Sequence, residues 1–461
     1  MKTDTIAAIA TAIGPSGIGI IRISGSDAFS LISKIFKNGK NENVDLAKYD
    51  SHTLHYGYIY DKDTVIDEVL VSIMKAPKSY TTEDTVEINT HGGSFVIKRV
   101  LDTVIKTGVR PAEPGEFSKR AFLNGRMDLS EAQAVMDLIS SRNEFARKNS
   151  LKNLKGSIKN KIFELREKLL HECAFIEAAL DDPEHYSLDG YPDELKGKIG
   201  EVRREIQSLI NGFNNGRILN EGIKCSIVGR PNVGKSSIFN FIAGEERAIV
   251  TDIPGTTRDV IETSVYYKGL SLIFTDTAGI RDTSDTVEKI GVQRSVRSLE
   301  EADLIMLVFD NSDELTDEDI EMIKVVESKE KNVIGILNKS DLSAVLTEET
   351  IKERTDIDVI SVSAKEGKGF DELFEKIYGI FFKGDLTYND EVLITNARQA
   401  GLLADAHKSL ELVLNSIELG MSEDFFTRDI MDAYKALGEI VGCDIGDDLA
   451  DKIFSDFCMG K

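Results

Sequence analysis

The segment "GRPNVGKSS", residues 229–237, follows a β-branched run ending at Val228 and precedes "IFNFIAG". It fits the spacing G-x-x-x-x-G-K-[ST] in a strand–loop–helix context. Glycines in such a loop let the backbone N–H groups of Asn232, Val233 and Gly234 approach phosphate oxygens. Lys235 neutralises the β- and γ-phosphates, and the Ser236 hydroxyl, with Ser237 beside it, is a ligand for Mg²⁺. "DTAG" (Asp276, Thr277, Ala278, Gly279) ends a second strand, with its carboxylate near Mg²⁺ and its glycine N–H near the γ-phosphate. "NKSD" ends a third and supplies Asn338, Lys339 and Asp341. A carboxylate at 341 can accept from both N1–H and the exocyclic amine of guanine. Adenine offers no such donor pair, so the expected nucleotide is GTP. "SAK" (Ser363, Ala364, Lys365) fits a loop closing over the base.

Two details narrow the chemistry. Ile280 follows Gly279 where Ras-like enzymes carry the glutamine that orients the attacking water, so hydrolysis must recruit another group. "TDIPGTTRD", residues 251–259, lies where a switch loop is expected. Thr256 and Thr257 there are candidates for the γ-phosphate and Mg²⁺. The carbonyls before them, along Thr251, Asp252, Ile253, Pro254 and Gly255, can hold a further cation.

The elements that must position these groups come in three textures. In residues 1–118, "GIGIIRIS", "HTLHYGYIY", "VLVSIMKA" and "TVEINTH" read as strands, and "SFVIKRVLDTVIKTG" as a helix stopped by glycine. The start of the chain, through "IAAIATAIGPSGIG" into "IIRIS", reads as a strand instead of a signal peptide, because its basic region is one lysine neutralised by Asp4. From about 122 to 217 the pattern is helical, with Ser130 as the expected cap of "LSEAQAVMDLIS" and "DDPEHYSLDGYPDEL" as a polar break. From Ile223 to Phe382, short β-branched runs alternate with helical stretches, the signature of a parallel sheet with crossover helices. Helical texture then returns to the end. The expected organisation is an amino-terminal α/β domain (1–118), an all-α domain in two parts (119–217 and 390–461), and an α/β nucleotide domain (222–383) inserted between those parts.

Charge and cysteines bound the partners. With 56 Lys+Arg against 79 Asp+Glu, the net charge is −23, so nucleic acid is repelled except by a local basic patch or a basic partner. Cys173, Cys225, Cys443 and Cys458 show no C-x-x-C spacing, which points to a reducing compartment without disulfides or structural zinc. No apolar run approaches the roughly 20 residues of a membrane span, and a cytoplasmic protein is expected. Cys458 is the fourth residue from the end, where a prenyl acceptor would be. Gly460 and Lys461 suit that signal poorly, and the upstream segment is acidic.

The nucleotide motifs, together with "THGG", "RPAEPGEFSKRAFLNGRMDLSEAQA" and the terminal "FCMGK", resemble the TrmE/MnmE family of tRNA-modification GTPases over essentially all 461 residues. That resemblance implies a Ras-like P-loop GTPase domain inserted in the helical domain. It implies GTP hydrolysis with potassium held by Asn232, Thr251, Ile253 and Thr256, and Mg²⁺ by Ser236 and Thr257. Glu288, in "DTVEKIG", matches the family's catalytic glutamate, which orients water through a second water. It further implies an amino-terminal domain that dimerises and binds a tetrahydrofolate derivative (5-formyl- or methylene-tetrahydrofolate) through Arg22, Glu87 and Arg126. The tail brings Lys461 and Cys458 to that cofactor, with Cys458 a nucleophile or a packing residue. Arg126 stands where some members carry lysine, which changes the hydrogen-bond geometry. The implied function is installation of an aminomethyl or carboxymethylaminomethyl group at C5 of the wobble uridine of certain tRNAs, with a flavoprotein partner. The alternative is a ribosome-assembly GTPase acting as an RNA-binding switch, which should carry a basic RNA-binding module.

Overall fold

The structure, a computed structural model, describes residues 4–141, 143–244, 263–267, 270–274, 299–329, 331–381, 393–443, 446–455, 457 and 460. The chain divides into two compact units. One gathers Met1–Ile139, Lys152–Val202 and Asp405–Lys461; the other gathers Ser140–Leu151 and Arg203–Ala404.

The first unit opens with strands β1 (Ile6–Ile9), β2 (Ile18–Ser24), β3 (Phe36–Asn38), β4 (Thr53–Asp61), β5 (Thr64–Met74), β6 (Thr85–His91) and β7 (Arg110–Pro111). They form one sheet in the order β3-β4-β5-β6-β2-β1-β7. Every pairing is antiparallel except β1 with β7. The amino-terminal stretch expected as one strand is therefore two, paired antiparallel, because the glycine-containing segment between them turns the chain back. Alternation gives the sheet two unlike faces. Ile21, Ile23, Val71, Ile73, Val86 and Ile88 pack with Ile97, Val100 and Val104 of helix α2 (Ser94–Lys106), whose apolar residues recur at three and four. Helix α1 (Ala28–Ile32) joins the same core. Arg22 and Glu87 project from the other face, directly opposite one another on β2 and β6.

Helices α3 (Glu116–Leu123), α4 (Leu129–Ser140), α5 (Glu144–Leu154), α6 (Ser157–Asp181) and α7 (Tyr191–Glu221) follow. The cap of α4 is Asp128, not Ser130. Asp128 Oδ1 accepts the Glu131 N–H at 2.9 Å, while Glu131 Oε2 accepts the Asp128 N–H at 2.8 Å. This reciprocal box starts the helix at Leu129, so Ser130 lies inside its first turn and donates its hydroxyl to Asp128 at 2.7 Å.

The second unit holds β8 (Ile223–Val228), α8 (Lys235–Gly244), β9 (Thr263–Tyr267), β10 (Leu270–Phe274), β11 (Leu304–Asp310), α9 (Asp317–Glu327), β12 (Asn332–Asn338), α10 (Glu348–Lys352), β13 (Val359–Ser361) and α11 (Phe370–Phe381). The sheet order is β13-β12-β11-β8-β10-β9, parallel but for the β9–β10 hairpin. Every residue of β11 is buried, as a central parallel strand covered on both faces must be. Met306 and Val308 face α8 and α11 through Ile238, Phe239, Leu373 and Ile377. Ile305, Leu307 and Phe309 face α9 through Ile323 and Val326. β9 is a strand that the sequence reading passed over. Helices α12 (Ala397–Glu418), α13 (Glu423–Val441) and α14 (Asp447–Phe454) close the chain. α6 packs along α13, and α14 against α3.

Candidate functional site

The turn between β8 and α8 carries "GRPNVGKSS". Asn232 and Gly234 adopt positive φ, 66° and 96°, which turns the backbone into a cradle at the amino end of α8. A Cβ on Gly234 would lie 2.1 Å from Asn338 Nδ2, so only glycine allows this close passage. Lys235 folds over the loop, donating from Nζ to the Gly229 and Arg230 carbonyls at 2.7 and 2.8 Å. Burial pulls its ammonium below the usual lysine range, a cost that a polyphosphate at this site would offset. Ser236 lies at the first turn of α8, and Ser237 beside it is exposed.

The end of β12 ties this loop to a second one. The buried Asn338 donates from Nδ2 to the Val233 carbonyl at 2.9 Å and accepts the Ala364 N–H at Oδ1 at 3.3 Å. One amide thus sets the distance between the phosphate loop and the "SAK" loop. Ser363 is fully buried and donates from Oγ to Asp341 Oδ1 at 2.7 Å. That bond holds the Asp341 carboxyl below its usual range, so the group is an anionic acceptor at neutral pH. Lys339, at φ 65°, donates to Asp310 Oδ2 at 2.6 Å. Burial alone would raise Asp310, but Lys339 and Ser312 hold it in the charged form. Lys365 is exposed on the second loop.

A separate cluster lies on the polar face of the first sheet. Arg22 Nε donates to Glu87 Oε1 at 2.8 Å, and Nη1 donates to the Gly460 carbonyl at 2.9 Å. The tail backbone therefore reaches this site. Gly460 has φ 83°, and a Cβ there would meet the Ile9 carbonyl at 2.5 Å. Arg126 is exposed and donates to the Tyr80 carbonyl at 2.7 Å. Both guanidiniums also approach the Tyr80 ring, Arg22 at 5.3 Å and Arg126 at 4.7 Å from its centroid. Tyr80 OH and Ser118 Oγ are hydrogen-bonded at 2.8 Å.

Comparison with known proteins places the chain. The model for the GTP-binding protein TrmE N-terminus matches residues 5–126, and that for the MnmE helical domain matches 129–458. The tRNA modification GTPase MnmE of Lachnoclostridium phytofermentans is 52% identical over 461 residues, covering 100% of both chains. That of Thermoanaerobacter pseudethanolicus is 47% identical over 464 residues, again covering 100% of each. This chain belongs to the MnmE family. Among solved structures, the G domain of the T. maritima FeoB iron transporter is 29% identical, over 34% of this chain and 96% of that one, with a TM-score of 0.26.

In this MnmE-family chain the structure brings Asn232 to Ser237, Asn338 to Asp341 and Ser363 to Lys365 to the carboxyl ends of parallel strands of the second sheet, and Arg22 and Arg126 to one tyrosine, with Glu87 paired to Arg22. Thr251 to Thr257, Asp276 to Gly279, Glu288, Cys458 and Lys461 lie outside the described residues. Sequence reading missed Tyr80, Asp310 and the backbone of Gly460. No motif spacing marks an aromatic ring, or a carboxylate 29 residues from the lysine it holds.

Proposed function

We propose that this chain, a GTP hydrolase of the tRNA-modification class by its MnmE membership, is potassium-activated and works in the cytoplasm with a flavin-dependent partner. Together they install an aminomethyl or carboxymethylaminomethyl group at C5 of the wobble uridine of certain tRNAs. The observation that carries the nucleotide half is the Asn338 amide, which bonds both the phosphate loop and the base loop beside an ionised Asp341. Asp341 selects guanine by accepting its paired N–H donors, and Lys235 neutralises the β/γ-phosphate charge that grows during transfer. The donors on the phosphate loop, the Asn232 amide oxygen and the Ser236 hydroxyl, are hard oxygens suited to potassium and Mg²⁺ respectively. Thr251, Ile253 and Thr256 would complete the potassium set, and Thr257 the Mg²⁺ set. Asp276 and Gly279 would face Mg²⁺ and the γ-phosphate, and Glu288 would orient the attacking water.

The amino-terminal cluster fits a reduced pterin. Glu87 offers an acceptor for its amine and ring N–H, and Arg22 and Arg126 offer forked donors for its carbonyl or glutamate tail. A tetrahydrofolate derivative bound there supplies the one-carbon unit. Lys461 and Cys458 belong to the same reading, because Gly460 already contacts Arg22. The sheet face that bears Arg22 and Glu87 also exposes Leu54, Tyr56 and Leu70, which supports pairing of two copies through this domain. The packing of α6 along α13 supports one helical domain divided by an inserted nucleotide domain.

Deleting the gene should remove the modified wobble nucleoside, read by nucleoside mass spectrometry. If the modification persists while ribosomal subunits accumulate, the chain is an assembly switch instead. Replacing potassium with sodium should depress GTP turnover sharply, and equal rates would remove potassium from the mechanism.

A further inference from the structure

Tyr80 sits in the link between β5 and β6, and its ring is fixed from several sides. The hydroxyl is hydrogen-bonded at 2.8 Å to Ser118 Oγ, and Ser118 is fully buried. The ring packs against two apolar clusters, one holding Ile6, Ala8 and Phe117 and the other Met127, Phe454 and Phe457. The backbone of the link is gripped as well. The Tyr80 carbonyl accepts from Arg126 Nη1 and the Thr81 carbonyl from Asn124 Nδ2, each at 2.7 Å.

Two cations converge on this one ring. Arg22 Cζ stands 5.3 Å and Arg126 Cζ 4.7 Å from its centroid, both within the range over which a ring quadrupole attracts a guanidinium. The arginines come from different elements, β2 and the turn after α3, and their like charges repel. Something between them must therefore hold them near each other, and the ring is placed to do so. Arg22 has further anchors in Glu87 and the Gly460 carbonyl. For Arg126, among the described residues, the side-chain hydrogen bond and the ring contact are both made to Tyr80.

We propose that Tyr80 is a positioning residue of the Arg22–Glu87–Arg126 site, its ring fixing where the two guanidiniums stand and so setting the affinity for a folate; this rests on the folate-binding role proposed for that site. A ligand that meets arginines already held in place is spared the cost of ordering two long side chains. The ring acts on the ligand through the guanidiniums and not through its own hydroxyl, which is engaged with Ser118.

The test measures binding of 5-formyltetrahydrofolate to the full-length chain by isothermal titration calorimetry. Tyr80→Leu, checked for fold by circular dichroism, should weaken binding about tenfold, the scale of two side chains released from order. Tyr80→Phe keeps the ring and drops the Ser118 bond, and should stay within about threefold of the wild-type affinity. Fluorinated phenylalanines placed at position 80 keep the ring's shape while draining its quadrupole, so affinity should fall stepwise from one fluorine to three. This series decides the matter where Tyr80→Leu does not fold. Affinity that stays level or rises with fluorine overturns the positioning role. So does a folded Tyr80→Leu that binds as the wild type does, or a Tyr80→Phe that loses as much as Tyr80→Leu. No binding by the wild-type chain overturns the folate role of the site, and the role of Tyr80 with it.

Discussion

On the proposed reading, Asp341 would meet guanine with a carboxylate whose charge and direction are already set. The Ser363 hydroxyl bonds Oδ1, leaving the second oxygen and the remaining lone pairs to face a base. Asp341→Asn keeps the shape and the partner but turns half of the acceptor into a donor. GTP affinity should fall by roughly tenfold to a hundredfold, the scale of a lost hydrogen bond to a charged group. Xanthosine triphosphate, which presents a carbonyl where guanine has its amine, should bind the variant better than GTP does. Equilibrium titration with fluorescent nucleotide analogues measures both. Unchanged preference for GTP would show that Asp341 does not read the base. The "NKSD" spacing was enough to find Asp341 and Asn338. What Asn338 does was not legible, because its partners at Val233 and Ala364 lie 105 and 26 residues away and meet it only after the sheet forms.

Among elements, the start of α4 separates two nearby side chains that a sequence pattern treats alike. Ser130 and Asp128 both have the chemistry of a cap, and both precede an apolar run. Glu131 decides between them, since its carboxylate reaches the Asp128 N–H and leaves Asp128 to accept from the Glu131 N–H. Asp128→Ala should therefore lower stability by about 1 kcal/mol, while Ser130→Ala should cost appreciably less. Urea unfolding followed by circular dichroism distinguishes the two, and equal losses would return the cap to Ser130. The long periodic elements, such as α2 and α6, were readable because one face repeats apolar residues at three and four. β9 was not, because its five residues, "TSVYY", are bounded by no turn signal strong enough to mark an edge hairpin. The Arg22–Glu87 pair was legible only through family resemblance. Spacing alone cannot tell that two strands 65 residues apart place those side chains in register.

At the scale of the whole molecule, the charge of −23 constrains how a tRNA-modifying chain can meet its polyanionic substrate. A protein that neutralises many phosphates shows affinity that falls steeply with salt, because each contact releases condensed counterions. This chain has 56 basic against 79 acidic residues, and several lysines and arginines are already spent on internal pairs. Arg110 and Arg120 hold Asp4 and Glu116, and Lys198 holds Glu172. On the proposed reading, the basic contact surface is therefore expected on the flavin-dependent partner, and this chain would supply nucleotide-driven motion and cofactor chemistry. Filter binding of tRNA to the isolated chain should give dissociation constants no tighter than about micromolar at physiological salt, the range of non-specific binding. The logarithmic salt slope should be shallow. Adding the partner should tighten binding and steepen that slope together. Tight binding by the isolated chain, with a steep slope, would mean that a local basic patch on this chain carries the tRNA contact.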